Sequence, residues 1–492
     1  MRRLIAAAAA AATLATMGLT ATAQAGTAAP SARHVTTKRA TSTEVIEAPW
    51  DLPFSVIIIL VKNSTEACTK VKATGLPGPV TAGTSSKVNK GCTVEVEGVA
   101  PSGTAATLKP KFTYTESGTV HTKIVIFTFF PEPCENDAVG VGSDTITPLT
   151  DQLATDYNNS LGIHPACSKV SPAKPYEYSW DAVNPITGAI GDSITEKADC
   201  PSIPRPDGSS AGINQLATFQ KSTSGPYCTN FARSSRPRGS SDPPYGPGGV
   251  AFVALAGDAV TWAAPAVNTA APASLTVAQL NAIYTCTDTN WDQVGGANQA
   301  IVPFLPQSGS GTLSFFLAAI GVTTPGPCVS NDNNTLEENE GVNPVLQTPE
   351  AIWIYSVGEY IGQRYHSPSC TNSGCTGTPP CAPASGKNDF GCNQRGTYVL
   401  KEINGIAATT GKGTGTTINT SFPSTFDRTL YEVVPYDPNT SDHIPGSESG
   451  APGGVNLETL FGASGWACTN ATAKTDIKNY GFLPISTCGL TS

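Results

Sequence analysis

Three short loops rich in glycine, serine and threonine constrain this chain most, because each one opens a segment with helical spacing. The loops are residues 140–145, 208–212 and 307–312. A helix start carries free backbone N–H groups and the positive end of the helix dipole. Glycines let a small ligand approach that backbone closely. Three such helix starts that meet at one point would form a binding site for a small oxyanion and would need no catalytic group.

The first 25 residues have the pattern of a secretory signal, with Arg2 and Arg3 before an alanine-rich apolar stretch and a cleavage site at Ala23 to Ala25. No cysteine follows that site, so we expect no lipid anchor. No later apolar run reaches the ~18–20 residues that span a bilayer. We therefore expect a secreted protein that is extracellular or associated with the cell wall.

The 14 cysteines fit an oxidising compartment, in which disulfides persist. Spacing alone does not determine their pairing, but Cys68–Cys92 and Cys468–Cys488 are the pairs that we expect first. The cysteines of residues 367–393 are expected to form disulfides rather than a zinc site. The histidines are scattered without metal spacing, so we expect no metal and no cofactor.

Charge excludes one class of partner. Only 14% of the residues are charged and the net charge is −9. Nucleic-acid binding depends on clustered Lys and Arg, so we expect no nucleic-acid partner. Nothing in the sequence indicates more than a monomer.

Composition changes along the chain indicate the domain organisation. Residues 26–43 are predicted to be a disordered leader. Residues 44–133 alternate in short strand-like runs between turns, which predicts a small all-β, sandwich-like domain. Residues 134–492 alternate apolar runs with helical patterns, which predicts an α/β domain. Within it, a capping box at Thr276 predicts one helix, and Thr348 is expected to open another that runs to about Tyr365.

Four stretches resemble, in the same order, motifs of the phosphate-binding proteins of ABC uptake systems, a branch of the type II periplasmic-binding-protein superfamily. The stretches are residues 140–145, 208–216, 275–296 and 308–312. The resemblance covers roughly residue 137 to the C-terminus. It implies two α/β lobes around a ligand cleft, with lobe 1 at about residues 134–262 and 429–492 and lobe 2 at about residues 263–428.

The resemblance also implies which residues contact the ligand. Together with neighbouring positions of the same loops, the predicted ligand-binding residues are Ser143, Asp144, Thr145, Ser209, Ser210, Ser235, Gln307, Ser310, Gly311 and Thr312.

Two charged residues of the family's phosphate site are absent from their usual places. The family has an Asp where this chain has Ser235, and an Arg before the third loop, where Pro306 stands. We hypothesise that Arg233 or Arg236 restores the cation. Without a cation, each hydrogen bond from a neutral donor contributes about 0.5–1.5 kcal/mol rather than about 1.5–3 kcal/mol. The site would then favour a neutral or weakly charged ligand.

These observations predict a non-enzymatic binding protein that closes two lobes over a small anionic or polar solute, with phosphate as the default ligand and an ABC transporter or a cell-wall component as the partner. The alternative is a cell-wall or extracellular interaction protein whose cleft is vestigial or binds something other than phosphate. A hydrolase is disfavoured because the one Gly-x-Ser-x-Gly match, residues 208–212, follows a proline-rich stretch and not the predicted strand that a nucleophile elbow needs.

Overall fold

The computed structural model describes most of the chain from residue 45 onward. The described residues are 45–49, 53–62, 69–77, 81–82, 86–88, 91–99, 107–116, 119–130, 132–162, 164–165, 167–184, 190–223, 225–267, 269–366, 394–447 and 451–492. They belong to one compact unit, Thr36–Ser492. The predicted signal and leader, the Cys68–Cys92 pair and the cysteine-rich segment 367–393 lie outside the described residues and side chains.

The described residues before residue 131 form strands and no helix, as the sequence predicts. Its strands are β1 (Val45–Pro49), β2 (Pro53–Lys62), β3 (Thr69–Thr74), β4 (Thr81–Ala82), β5 (Ser86–Val88), β6 (Gly91–Val99), β7 (Thr107–Leu108), β8 (Lys111–Glu116), β9 (Thr119–Ile124) and β10 (Ile126–Phe130). They form three small sheets, β1-β10-β7, β2-β6-β4 with β5 on β6, and β3-β8-β9. Alternate residues such as Ile58, Val94 and Phe112 pack one buried core. The face-to-face sandwich arrangement remains a prediction.

Strands and helices alternate from residue 134 onward, which confirms the α/β prediction. The strands are β11 (Ala138–Gly142), β12 (Glu177–Ser179), β13 (Ser193–Thr195), β14 (Ser202–Pro204), β15 (Phe231–Ser234), β16 (Val250–Pro265), β17 (Ser274–Leu275), β18 (Val302–Pro303), β19 (Ala351–Ser356), β20 (Tyr398–Leu400), β21 (Glu402–Ile403), β22 (Thr409–Thr410), β23 (Thr417–Ile418), β24 (Asp427–Pro435) and β25 (Leu483–Pro484). The helices are α1 (Thr147–Leu161), α2 (Gly208–Leu216), α3 (Val277–Tyr284), α4 (Gly311–Ala319), α5 (Val357–Tyr365), α6 (Glu458–Phe461), α7 (Trp466–Thr469) and α8 (Ala471–Asn479).

Two long strands join the two halves of this region. The main sheet runs β12-β11-β15-β24-β16-β19-β18, and β16 pairs with β24 antiparallel from Val250↔Pro435 to Ala259↔Asp427. The first half of β16 packs in a core with α1 and α8, and its second half packs in another core with α3 and α4. Two hydrophobic cores linked by two crossing strands form the two-lobed architecture that the resemblance implies. The exact lobe limits remain a proposal.

One predicted element is wrong in its first half. Residues expected to form a helix from Thr348 instead form β19, which pairs antiparallel with β16, and Ser356 then caps α5 by accepting from the backbone N–H of Glu359 at 3.1 Å. The consecutive residues Ile352 to Tyr355 are buried on both faces of the sheet. Such β-branched and aromatic runs favour a central strand, and pairing with β16 overrides the local cap signal. The capping box at Thr276 is confirmed.

Four disulfides are present among the described residues. They are Cys134–Cys167, Cys200–Cys228, Cys286–Cys328 and Cys468–Cys488. The expected Cys468–Cys488 pair is therefore confirmed. No helix in the described part of the chain combines the length and the apolar character that a membrane crossing needs.

Candidate functional site

The three glycine- and serine-rich loops meet at one place. The hydroxyl oxygens of Thr145 on the first loop and Thr312 on the third lie 3.0 Å apart. The second and third loops are joined by a hydrogen bond of 3.3 Å from the backbone N–H of Ser210 to the carbonyl of Gly309. The starts of α1, α2 and α4 therefore surround one small volume.

Glycine at two positions allows this close approach. A Cβ atom at Gly311 would lie 2.3 Å from Ser209 Oγ and 2.4 Å from Ser235 Oγ. Gly208 has φ of +83°, and a Cβ there would lie 2.5 Å from the carbonyl oxygen of Gly309. Any larger residue would push the N-termini of α2 and α4 apart.

The second loop is fixed to the end of β15 through two serines. Ser209 Oγ accepts a hydrogen bond of 3.0 Å from the backbone N–H of Ser235, and the two hydroxyl oxygens lie 3.3 Å apart. Both side chains are fully buried. Ser235, at the position where the related family has an Asp, therefore offers a neutral hydroxyl and not a charged acceptor.

A buried arginine that the sequence analysis did not select lies at the meeting point. Arg428 Nη1 donates to Thr312 Oγ1 at 2.9 Å and to the carbonyl of Ser235 at 2.8 Å. Its Nε and Nη2 donate to Asp258 Oδ2 at 2.9 and 2.8 Å. Both side chains of this ion pair are completely buried. The one sequence signal was position, since the predicted return of the chain to lobe 1 is at about residue 429, directly after this arginine.

The two arginines proposed from the sequence are engaged elsewhere. Arg233 donates to the carbonyls of Ser143 and Trp180 at 3.1 and 2.8 Å. Burial lowers its pKa, although neighbouring carboxylates oppose that shift. Arg236 forms an ion pair with Asp242 and donates to Ser210 Oγ at 3.2 Å. Arg233 therefore holds the base of the first loop, and Arg236 lies beside the second.

The remaining candidates mostly build the loops. Gln307 links the second and third loops by donating to Asp207 Oδ1 at 3.2 Å. Ser310 caps α4, because its Oγ accepts from the backbone N–H of Leu313 at 2.9 Å. Ser143 is fully buried, and its Oγ has no hydrogen-bond partner among the described residues.

A carboxylate that the sequence analysis also missed lies among these donors. Glu338 Oε2 accepts hydrogen bonds from Thr145 Oγ1 and, at 2.9 Å, from Thr312 Oγ1. Asn339 Nδ2 donates to the same Thr145 hydroxyl at 3.3 Å. Glu338 is 2% exposed. The only sequence signal was the acidic run Glu-Glu-Asn-Glu at residues 337–340, which belongs to no helix or strand predicted from the sequence.

Several further carboxyl groups lie around Glu338. Their pKa values are raised, and burial is the largest cause. The pKa of half-buried Asp144 is raised well above its usual value by burial and then by Glu338. The pKa values of Asp207 and Glu340 are each raised to about 7, and that of Glu337 to about 11. Burial therefore favours the protonated forms of these carboxyl groups, and the site is less anionic than its composition suggests.

A separate cluster has the residue types of a metal site. Cys134, Asp137 and His164 bring potential ligand atoms within 4.8 Å of one another. Cys134 Sγ is bonded to Cys167, however, and His164 Nε2 lies 3.1 Å from Asp137 Oδ1. Zinc binds the thiolate of cysteine and not a disulfide sulfur, so this cluster does not form a metal centre.

Comparison with known proteins gives one family and a small number of similar structures. A family model described as the PBP superfamily domain matches residues 135–434. No curated protein matches the chain. An ABC-type phosphate transport receptor from Vibrio cholerae is similar at 15% identity, covering 70% of this chain and 99% of that one, with a TM-score of 0.39. PstS from Borrelia burgdorferi is similar at 15% identity, covering 71% of this chain and 98% of that one, with a TM-score of 0.34. At such TM-scores the ligand has to be argued from the site itself.

Proposed function

Because the chain belongs to the PBP superfamily, we propose that it is a secreted solute-binding protein that holds a small oxyanion, with phosphate as the first candidate. The ligand would lie where the three helix starts meet. The observation that carries this proposal is the convergence of Thr145, Thr312 and buried Arg428 on one small volume.

The hydroxyl donors at this point already bind a carboxyl oxygen of the chain itself. Thr145 and Thr312 both donate to one carboxylate oxygen of Glu338. An oxygen of phosphate accepts hydrogen bonds in the same way as a carboxylate oxygen. The adjacent helix N-termini add backbone N–H groups and favourable dipoles. These donors support an oxyanion as the class of ligand.

Arg428 supports an anionic ligand over a neutral one. The sequence alone suggests a site without its usual cation, but Arg428 supplies a guanidinium from β24. Asp258 fixes that guanidinium through two of its donors. Hydrogen bonds from a charged donor contribute about 1.5–3 kcal/mol, against about 0.5–1.5 kcal/mol for a neutral one.

We propose that binding is coupled to closure of the lobes. On the lobe limits proposed from the resemblance, Thr145 belongs to lobe 1 and Thr312 to lobe 2, and Arg428 lies at the return crossing. A ligand held by both threonines binds the closed form better than the open form and so shifts the population toward closure. No covalent step is part of this proposal, and an ABC transporter remains the proposed partner.

Calorimetric titration of the full secreted protein with phosphate, sulfate and a neutral sugar tests the proposal. We expect phosphate binding that falls at least tenfold in Thr145→Val and in Thr312→Val. The matched control is Thr261→Val, because Thr261 is equally buried and donates to the carbonyl of Lys401, outside the site. Equal binding by Thr145→Val, Thr312→Val and the unmodified protein would contradict the proposed site.

The same titration separates the alternative function. If neither the unmodified protein nor the Glu338 variants described below bind any of these solutes, the receptor proposal is wrong. Retention of the protein on isolated cell walls, lost on deletion of residues 44–133, would then favour a cell-wall interaction protein.

A further inference from the structure

We propose that Glu338 is a built-in competitor whose carboxylate occupies the place of the ligand's acid group, so that a solute binds by displacing it. This inference rests on the proposed function of the same site. It deepens that function by naming what the ligand must carry, an acid group small enough to replace a carboxylate, and by naming what regulates access.

The position of the carboxylate is the first support. Glu338 Oε2 accepts from the hydroxyls of Thr145 and Thr312, which lie on two loops far apart in sequence. Arg428 Nη1 donates to the same Thr312 hydroxyl at 2.9 Å. Glu338 is thus the acceptor at the point where donors from the first loop, the third loop and β24 converge.

The incomplete fit of the carboxylate is the second support. Glu338 Oε1 is buried without a hydrogen-bond partner among the described residues, and so is Ser143 Oγ on the first loop. Buried polar groups are seldom left unpaired, because each such group costs free energy. Displacement would release Glu338 Oε1 from its unpaired position, and a ligand with more acceptor oxygens than a carboxylate could also accept from the Ser143 hydroxyl.

The third support is how the acidic segment is held. Asn339 anchors it to β19 and α5, because its carbonyl accepts from Tyr355 Oη and its Oδ1 accepts from the backbone N–H of Ser356 at 2.9 Å. The backbone N–H of Gln307 donates to the carbonyl of Leu336 at 2.8 Å. These anchors lie on one side of the site, and the side chains of Glu338 and Asn339 both reach from them to Thr145. Moving the Glu338 side chain would free the hydroxyls of Thr145 and Thr312 without dismantling the segment.

Glu338→Ala tests the inference with two probes, phosphate and acetate, measured by calorimetry on the full secreted protein. Removal of the carboxylate should tighten phosphate binding at least tenfold. Acetate should bind Glu338→Ala, because it can fill the vacated place, and should not bind the unmodified protein. Glu402→Gln, on β21 outside the site, is the control and should match the unmodified protein with both probes.

A second variant keeps the test decisive if Glu338→Ala does not fold. Glu338→Asp retains the charge but shortens the side chain by one methylene, so its carboxylate is withdrawn from the Thr145 hydroxyl. We expect it to bind phosphate more tightly than the unmodified protein and to retain cooperative unfolding.

The outcomes separate this inference from the proposed function. If Glu338→Ala binds acetate but not phosphate, the built-in competitor is supported and phosphate as the ligand is wrong. If phosphate binding is unchanged or weaker in Glu338→Ala, the competitor is overturned while the proposed function stands. A folded Glu338→Ala protein that binds neither probe overturns both.

Discussion

Two buried arginines lie on neighbouring strands of the main sheet and have different surroundings. Arg233 is on β15 and Arg428 on β24, and these strands pair directly. Arg233 donates mainly to backbone carbonyls at the base of the first loop, and also to the hydroxyl of Ser179. Arg428 donates to one carbonyl, that of Ser235, and also to the carboxylate of Asp258 and to the hydroxyl of Thr312, 116 residues away in sequence. The comparison teaches that two buried guanidinium groups on paired strands can have different kinds of partner, and the separate roles that we propose for them rest on this difference.

The carboxylates around the two arginines also differ in arrangement. Arg428 has one carboxylate, Asp258, bonded directly through two donors. Around Arg233, the groups Asp151, Asp181 and Glu432 act mainly through space, and burial raises the pKa of each one. We therefore expect Arg233 to contribute to folding and its pH dependence, and Arg428 to contribute to ligand affinity.

The largest effect should follow from Arg233→Met. It leaves several buried carbonyls and carboxylates without their cation, and removing one partner of such a buried network costs about 3–5 kcal/mol. Chemical denaturation should show this loss in the free energy of unfolding. Arg364→Met, at an exposed position on α5, is the control, with an expected loss of about 1 kcal/mol or less. A loss from Arg233→Met no larger than that of the control would contradict the structural role that we assign to Arg233.

Arg428→Lys should have the next largest effect, on affinity. Lysine keeps the charge but loses the forked donors that contact Asp258 and Thr312 together. Losing one charge-assisted hydrogen bond of about 1.5–3 kcal/mol corresponds to a phosphate affinity about 10- to 150-fold weaker, measured by calorimetry. Arg233→Lys should leave the affinity of the folded protein unchanged. If the two substitutions weaken phosphate binding equally, the assignment of separate roles is wrong.

The pH dependence of the free energy of unfolding tests the role that we assign to Arg233 and its neighbouring carboxyl groups. Glu432 lies opposite Arg233 in the strand register, and burial raises its pKa from 4.5 to about 8. The folded state thus binds this proton more tightly than the unfolded state does. The resulting stabilisation is complete below pH 4.5 and is lost as the pH rises through about 8.

The measurement is the free energy of unfolding of the unmodified protein minus that of Glu432→Gln at several pH values. Between pH 6 and pH 7 this difference should fall by about 1 kcal/mol, below the limit of about 1.4 kcal/mol per pH unit for one proton. A difference that stays flat, or rises with pH, would show that Glu432 is ionised in the folded protein.

The smallest effect on phosphate affinity should come from Arg236→Gln. Its buried ion pair with Asp242 stands beside the second loop, and removing one partner of a buried pair should lower the free energy of unfolding by about 3–5 kcal/mol. Phosphate affinity should change less than twofold by calorimetry. A tenfold loss of affinity would instead return Arg236 to the place that the sequence hypothesis gave it, as a ligand-binding cation.

Local patterns were sufficient for much of the fold. The glycine-rich loops, the capping box at Thr276 and the strand runs before residue 131 each depend on neighbours in sequence, and the structure forms these elements. The segment after Thr348 was mispredicted because its strand depends on pairing with β16, a contact with residues far away in the chain. The hydrophobic run at Ile352 to Tyr355 allows either a buried helix or a buried strand, and only the partner decides.

The sequence by itself determined that three helix starts would carry small, hydroxyl-bearing residues, because glycine and serine act through their own backbone and their nearest neighbours. Only the tertiary structure decided which charges meet them. Arg428 reaches Thr312 across 116 positions and Glu338 reaches Thr145 across 193. Such charges are brought together by strand crossing and burial, which leave no local pattern, and their Coulomb energy depends on distance and on the surrounding dielectric.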